Sequence, residues 1–216
     1  MTLLIDPGPV APVTMKRLGI DAEAIDAVLL THLHGDHTAG LPFLLLDYQF
    51  RLRRTRPLLI AGPKSSAARL ERLTVSCYRE LARAKLRFRL SYRVMAAGQR
   101  RRLGSATVTA LPMAHSRSAP GLGYRIRLGD KVIAFTGDTT WCDSVPRLAN
   151  GADLFLTECT GFRPEPGGHL DYLTLAARHS LLDAKRIVLV HVGEALLRNR
   201  RRVRWPIARD GQTFVV

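Results

Sequence analysis

The chain has 216 residues, 46% of them hydrophobic, enough for one sizeable core, and is read as a single domain over residues 1–216. Its longest apolar run, Leu41 to Leu46, stops at Asp47, far short of the roughly 18–20 residues of a membrane span, and MTLLIDPGPV has no basic segment before an apolar one; both point away from a membrane protein or a secretion signal and toward the cytoplasm. The three cysteines, Cys77, Cys142 and Cys159, form no CxxC pair, which argues against a disulfide framework or zinc knuckle and suits small packing residues.

In chain order, Leu3–Asp6 reads as a strand end, followed by a Pro/Gly turn and a short helix from Pro12 to Leu18 closed by Gly19. Val28–Thr31 is a short apolar run that leads into HLHGDH. Next come a helix over Leu41–Phe50, a strand over Leu58–Ala61 and a helix over Ser65–Arg83. From Leu86 to Val94, Leu86, Phe88, Leu90, Tyr92 and Val94 alternate with Arg87, Arg89, Ser91 and Arg93, the period of a half-buried strand with a basic outer face. Thr107–Leu111 predicts a strand, and Tyr124–Leu128 with Val132–Phe135 a hairpin about Gly129–Asp130. Ala152–Glu158 and Ile187–Val190 have buried-strand length, with a helix over Tyr172–Leu182 between them. Strands interleaved with helices, some hairpin-linked, give an α/β layered sandwich of two sheets with helices outside them.

The net charge of +15 is concentrated. Between Arg51 and Arg102 lie sixteen basic residues against Glu71 and Glu80 alone, a net of +14. One basic region of this kind is the footprint of a protein that meets nucleic acid or polyphosphate, although 28 Arg against 5 Lys also has the look of a compositional bias on a solvated face.

The segment THLHGDHTAG carries the densest chemistry. His32 and His34 are two apart, so an extended backbone presents both imidazoles on one side; Gly35 allows a tight turn that brings Asp36 and His37 toward a second point. Four potential ligands within six residues exceed what one tetrahedral site with an open position uses, so two metals are the economical reading, zinc first, with manganese or iron as alternatives. Three further candidates each follow an apolar strand: His115, Asp138 and His191. His179, within the last predicted helix, reads as an ordinary surface or core histidine.

These segments resemble a known family. HLHGDHTAGLPFLL, PMAHSRSAPGLGYRI, FTGDTTW, GADLFLTECT, GGHLDYLTLAA and IVLVHVG follow the order and spacing of the metallo-β-lactamase superfamily, and within it resemble the ribonuclease Z branch. The resemblance implies an αββα sandwich with the metals at one edge, His32, His34 and His115 on one zinc, Asp36, His37 and His191 on the other, and Asp138 bridging them. It also places Glu158 and His169 beside the departing group. The pattern is departed from twice: the long arm that tRNA-processing members carry between the positions of His115 and Asp138 is only a short hairpin here. The family also begins with one or two strands ahead of the segment matching LLIDPGP, so the first sheet is expected to lack its first strand or strands and to keep an exposed edge.

Three functions follow as expectations. The first is a dizinc phosphodiesterase acting on RNA or a small cyclic or nucleotide diester, in which the metals lower the pKa of a shared water, Asp36 orients it, and His169 backed by Glu158 donates a proton to the leaving oxygen. The second is a lactone, thioester or β-lactam hydrolase on the same metals, needing neither His169 nor a basic face. The third is a catalytically silent nucleic-acid-binding module, disfavoured because buried His and Asp kept without metal are costly. RNA would be met through Arg51–Arg102, no membrane is involved, and a homodimer is left open.

Overall fold

A computed structural model describes residues 1–116 and 120–216, so that residues 117–119, inside the PMAHSRSAPGLGYRI segment, lie outside the described residues. The chain divides into two compact units, Met1–Met95 and Ala96–Val216.

The first unit is a four-stranded, all-parallel sheet with the order β1-β2-β3-β4, made of β1 (Thr2–Ile5), β2 (Ile25–Leu29), β3 (Leu58–Gly62) and β4 (Leu90–Val94). Parallel strands covered on both faces read as continuous apolar runs, and Val28, Leu29, Leu58 and Ile60 are fully buried. The connections are helical: α1 (Ala11–Arg17), α2 (Gly35–Thr38), α3 (Leu41–Leu46), α4 (Ser66–Cys77) and α5 (Arg79–Arg83). Leu41, Leu44, Tyr48, Leu70 and Leu81 fill the core between helices and sheet.

Three expectations for this unit are corrected. The helix over 41–50 is α-helical only to Leu46 and continues as a π-helical turn over Asp47–Arg51. The single helix over 65–83 is broken at Tyr78, whose φ of −150° and ψ of 86° are extended rather than helical. The alternating strand over 86–94 starts only at Leu90, because the Arg87 backbone N–H is drawn to the Gln49 carboxamide oxygen (3.0 Å) and Phe88 turns inward to an edge-on contact with Tyr48. Arg87 and Arg89 therefore do not line a strand face with Arg93, and Tyr92 and Val94, expected half-buried, are exposed on an edge strand.

Arg54 belongs to the basic stretch by sequence, yet it is only 1% exposed. Its guanidinium donates to the carbonyls of Arg56, Glu23, Ile25 and Pro57 at 2.7–2.9 Å and lies over the Tyr48 ring. Tyr48 in turn donates its hydroxyl to Ala22 O (2.7 Å), and its pKa is pushed up to about 12 by burial. Arg54→Met should lower unfolding free energy in urea titration by about 3–5 kcal/mol, since it leaves several buried carbonyls without a donor. A loss below about 1 kcal/mol would mean that water replaces the guanidinium there.

The second unit holds a six-stranded sheet ordered β10-β9-β8-β7-β6-β5. Its strands are β5 (Arg100–Leu103), β6 (Ala106–Met113), β7 (Gly121–Leu128), β8 (Lys131–Phe135), β9 (Leu154–Glu158) and β10 (Ile187–Val190). β5 to β8 pair antiparallel, and β8, β9 and β10 pair parallel through crossovers containing α6 (Ser144–Ala149) and α7 (Tyr172–Ala177). The hairpin at Gly129–Asp130 forms as expected, with Gly129 at φ 62°. β5 was not foreseen: three of its four residues are exposed Arg, and only Leu103 is buried. The predicted helix over 172–182 ends at Ala177 and is followed by a 3₁₀ turn over His179–Leu181, while α8 (Glu194–Arg198) packs Leu196 into the core with Phe155, Leu175 and Leu189. Burial pushes the Cys159 thiol above its ordinary range, consistent with a packing role. Among the described residues no helix is long and apolar enough to cross a membrane.

Candidate metal centre

In the first unit, His32 and His34 follow β2 and bring ring nitrogens to 3.1 Å of one another, while the His37 ring lies 4.1 Å from that of His32. The helical turn α2 presents Asp36 and His37 in succession, with His37 Nε2 3.3 Å from an Asp36 oxygen; Asp36 is more than half exposed and His37 is buried. What fixes the loop is Asp6, at the end of β1. Its carboxylate accepts from the Thr31 backbone N–H (2.8 Å), the Thr31 hydroxyl (2.6 Å) and His37 Nδ1 (2.9 Å), and its φ of 46° is the left-handed conformation that a short polar residue tolerates. Gly40 closes the arrangement: its N–H bonds to Pro7 O (3.0 Å), and a Cβ there would come within 2.2 Å of Gly8 O, so no larger residue fits.

In the second unit, four strand ends deliver His115, Asp138, Glu158 and His191, and the loop before α7 delivers His169. Asp138 is 3% exposed, and one of its oxygens lies 3.9 Å from His115 Nε2, 3.9 Å from His169 Nδ1 and 3.7 Å from His191 Nε2. His115 Nδ1 is held by Gly168 O (3.0 Å), and His191 Nδ1 by the Thr160 hydroxyl (3.0 Å). Gly168 has a φ of 79°, and a Cβ on it would meet His115 O at 2.7 Å. His191 itself sits at φ 50°, a strained conformation for a non-glycine residue at a strand end.

This donor set fits a metal. Distances of 3.7–3.9 Å between Asp138 and two imidazole Nε2 atoms are too long for hydrogen bonds but match ligand atoms that share one ion, since two atoms each about 2.0–2.2 Å from zinc lie roughly 3–4 Å apart. His37, His115 and His191 each have Nδ1 anchored on an oxygen, the kind of outer partner that usually orients metal-ligating histidines. His115, Asp138 and His169 form one group that could hold an ion, and Glu158, His169 and His191 another.

A family model described as "Beta-lactamase superfamily domain" matches residues 1–192. The chain belongs to the β-lactamase superfamily. It is 28% identical over 248 residues to the "Ribonuclease Z" of Thermobifida fusca (strain YX), spanning 89% of this chain and 75% of that relative. Among solved structures it is similar to human tRNase Z, short form, with a TM-score of 0.77 at 24% identity over 99% of this chain and 88% of that one. It is likewise similar to a metallo-β-lactamase fold protein from Bacillus subtilis, with a TM-score of 0.75 at 23% identity over 99% and 87% of the two chains. The α/β fold is thus the metallo-β-lactamase fold, as the sequence motifs implied.

For a β-lactamase superfamily member, the polar groups behind the donors matter nearly as much as the donors, and the sequence motifs did not reveal them. Asp6 and Thr31 stand behind His37, and Thr160 links His191 to Glu158, donating to a Glu158 oxygen at 2.9 Å. His179, with Nδ1 on Ala176 O (3.0 Å), is exposed in its 3₁₀ turn, as expected of a histidine outside the site. Asp6→Ala should weaken zinc affinity by about 10–100-fold, read by competition with a chromophoric chelator, because His37 loses the carboxylate that orients it. Unchanged affinity would assign Asp6 to loop folding alone.

Proposed function

We propose that the chain is a single-domain, two-metal phosphodiesterase of the cytoplasm, ribonuclease Z-like in its chemistry, acting on RNA or a small nucleotide diester. In this proposal His32, His34 and His115 would hold one zinc, Asp36, His37 and His191 the second, and Asp138 both. When bound, such ions lower the pKa of a water toward neutrality and draw charge from a phosphoryl oxygen. Asp36, exposed and with a second carboxylate oxygen, would orient the attacking water.

The observation that carries this reading is the Glu158–His169 pair. Glu158 is buried at the end of β9, and its carboxylate accepts from the Thr139 N–H (2.5 Å), the Thr160 hydroxyl (2.9 Å) and His169 Nδ1 (3.1 Å). Backed at Nδ1 by a carboxylate, the His169 imidazole would be suited to pass a proton to a departing alkoxide. The ring is 29% exposed beside a buried Asp138, so it can reach a bound substrate.

The deciding assay is a substrate panel with zinc-loaded protein, comparing phosphodiesters and RNA with lactones, thioesters and β-lactams. Turnover should be highest on the diesters. Faster turnover of a lactone, thioester or β-lactam, or none of any substrate, would remove the phosphodiesterase reading.

A further inference from the structure

The register of the six-stranded sheet aligns arginines that the sequence keeps apart. β5, β6 and β7 put Arg100, Thr109 and Arg125 in one cross-strand row and Arg102, Thr107 and Arg127 in the next. Directly opposed residues share a face, and so do residues two apart on a strand, so all six project to one side of the sheet. This is the side that carries α6. A Cβ at Gly123 would meet the Leu148 side chain at 2.5 Å, and Arg125 donates to the carbonyls of Arg147 and Leu148 at the end of α6. Beyond that helix end the sheet face opens into a recess of about 160 Å³ lined by Arg100, Thr107, Thr109, Arg125, Arg127 and Val132.

No lining residue of the recess is acidic. The carboxylate that touches its backbone, Asp153 on the Val132 N–H (2.8 Å), has its other oxygen on Lys185 (2.7 Å). Burial and the charge of Arg127 hold Arg125 below its ordinary pKa, a sign that the guanidiniums repel one another. Like charges gathered across neighbouring strands cost stability unless an anion lies between them. Guanidiniums with two threonine hydroxyls between them are the donors that suit phosphate oxygens.

We propose that this recess is a phosphate-binding site for an RNA backbone, separate from the metal donors. Thr107 lies six residues before the end of β6 at Met113, about 20 Å at roughly 3.4 Å per residue, and His115 follows that end. The proposal deepens the phosphodiesterase reading by giving RNA as the substrate class, and it rests on that reading only for what happens at the metals.

The test is fluorescence anisotropy of the full chain with a labelled single-stranded RNA of about 14 nucleotides, in EDTA so that cleavage does not enter. Arg100→Gln with Arg127→Gln should weaken binding about tenfold and lower the log–log salt slope by about 1.4, roughly 0.7 for each lost phosphate contact. The charge-matched pair Arg79→Gln with Arg83→Gln, on α5, should change affinity less than about twofold. Arg100→Lys with Arg127→Lys, which keeps the charge and guards against a folding artefact, should keep most of the slope. Equal losses in the two Gln pairs, or none in the first, would reduce the cluster to general surface charge and overturn the proposal. Displacement of the RNA by micromolar inorganic pyrophosphate would overturn it in favour of a small free anion. Nitrophenyl-diester turnover by the zinc-loaded Gln pair separates the two readings. Intact turnover with unchanged RNA affinity sinks this proposal alone, whereas a parent without turnover sinks the phosphodiesterase reading and leaves the binding result standing.

Discussion

Zinc-loaded protein should carry about two ions per chain by elemental analysis, and Asp138→Asn one or fewer, with diester turnover down by about a thousandfold. The magnitude follows from the position of Asp138. It is a buried carboxylate with His115 Nε2 and His191 Nε2 at 3.9 and 3.7 Å, so an ion seated there loses its anionic ligand and the imidazoles lose the group that sets their spacing. Metal polarisation supplies several kcal/mol of transition-state stabilisation, and each ~1.4 kcal/mol is a factor of ten in rate. A purely structural Asp138 would give a different pattern. Binding stabilises the folded chain by mass action, so zinc should raise the melting temperature of the wild type well above that in EDTA, and the variant should lose most of that increment. One ion in the wild type, or equal zinc-induced increments in both proteins, would end the two-metal assignment.

The parallel strands were legible because a strand covered on both faces is apolar throughout, and Val28–Thr31, Leu58–Ala61 and Ile187–Val190 are short, largely apolar runs of that kind. The stretch from Leu86 to Val94 misled because period-two alternation describes a chain's preference and not its partner. Within that stretch the β3 ladder takes up Leu90–Val94, while Gln49, distant in sequence, captures the Arg87 N–H. β5 escaped notice because an edge strand of three arginines has no apolar period. The basic stretch was visible as charge, but its division between units at Met95, the burial of Arg54 and the alignment of Arg100 and Arg102 with Arg125 and Arg127 are products of packing and register. At the site, HLHGDH stands out because so many ligand types crowd six positions. Asp6, acting on Thr31 and His37 from 25 and 31 residues away, and Thr160, acting on His191 from 31 residues away, carry no local mark.

His169→Ala should slow hydrolysis of a diester with an alkyl leaving group by about 100-fold or more while changing nitrophenyl-diester turnover little. An alkoxide is too basic to depart without a proton, whereas a nitrophenolate leaves unaided, so only the first substrate reports the donor. The geometry supports this division of labour. His169 Nδ1 is held by Glu158 Oε1 at 3.1 Å, and the ring stacks on that of His191, with planes 18° apart and centroids 5.4 Å apart, which fixes where Nε2 can point. Because the same ring lies 3.9 Å from Asp138, a ligand role has to be separated from an acid role. Metal content does so: the alanine variant should keep about two zinc ions, as neither ion depends on it. Glu158→Gln should show the same leaving-group selectivity in weaker form, since the amide can still accept from Thr139 but no longer offers His169 a charged partner. Equal losses on both diesters, accompanied by lost zinc, would place His169 among the ligands and leave the leaving group to be protonated by water.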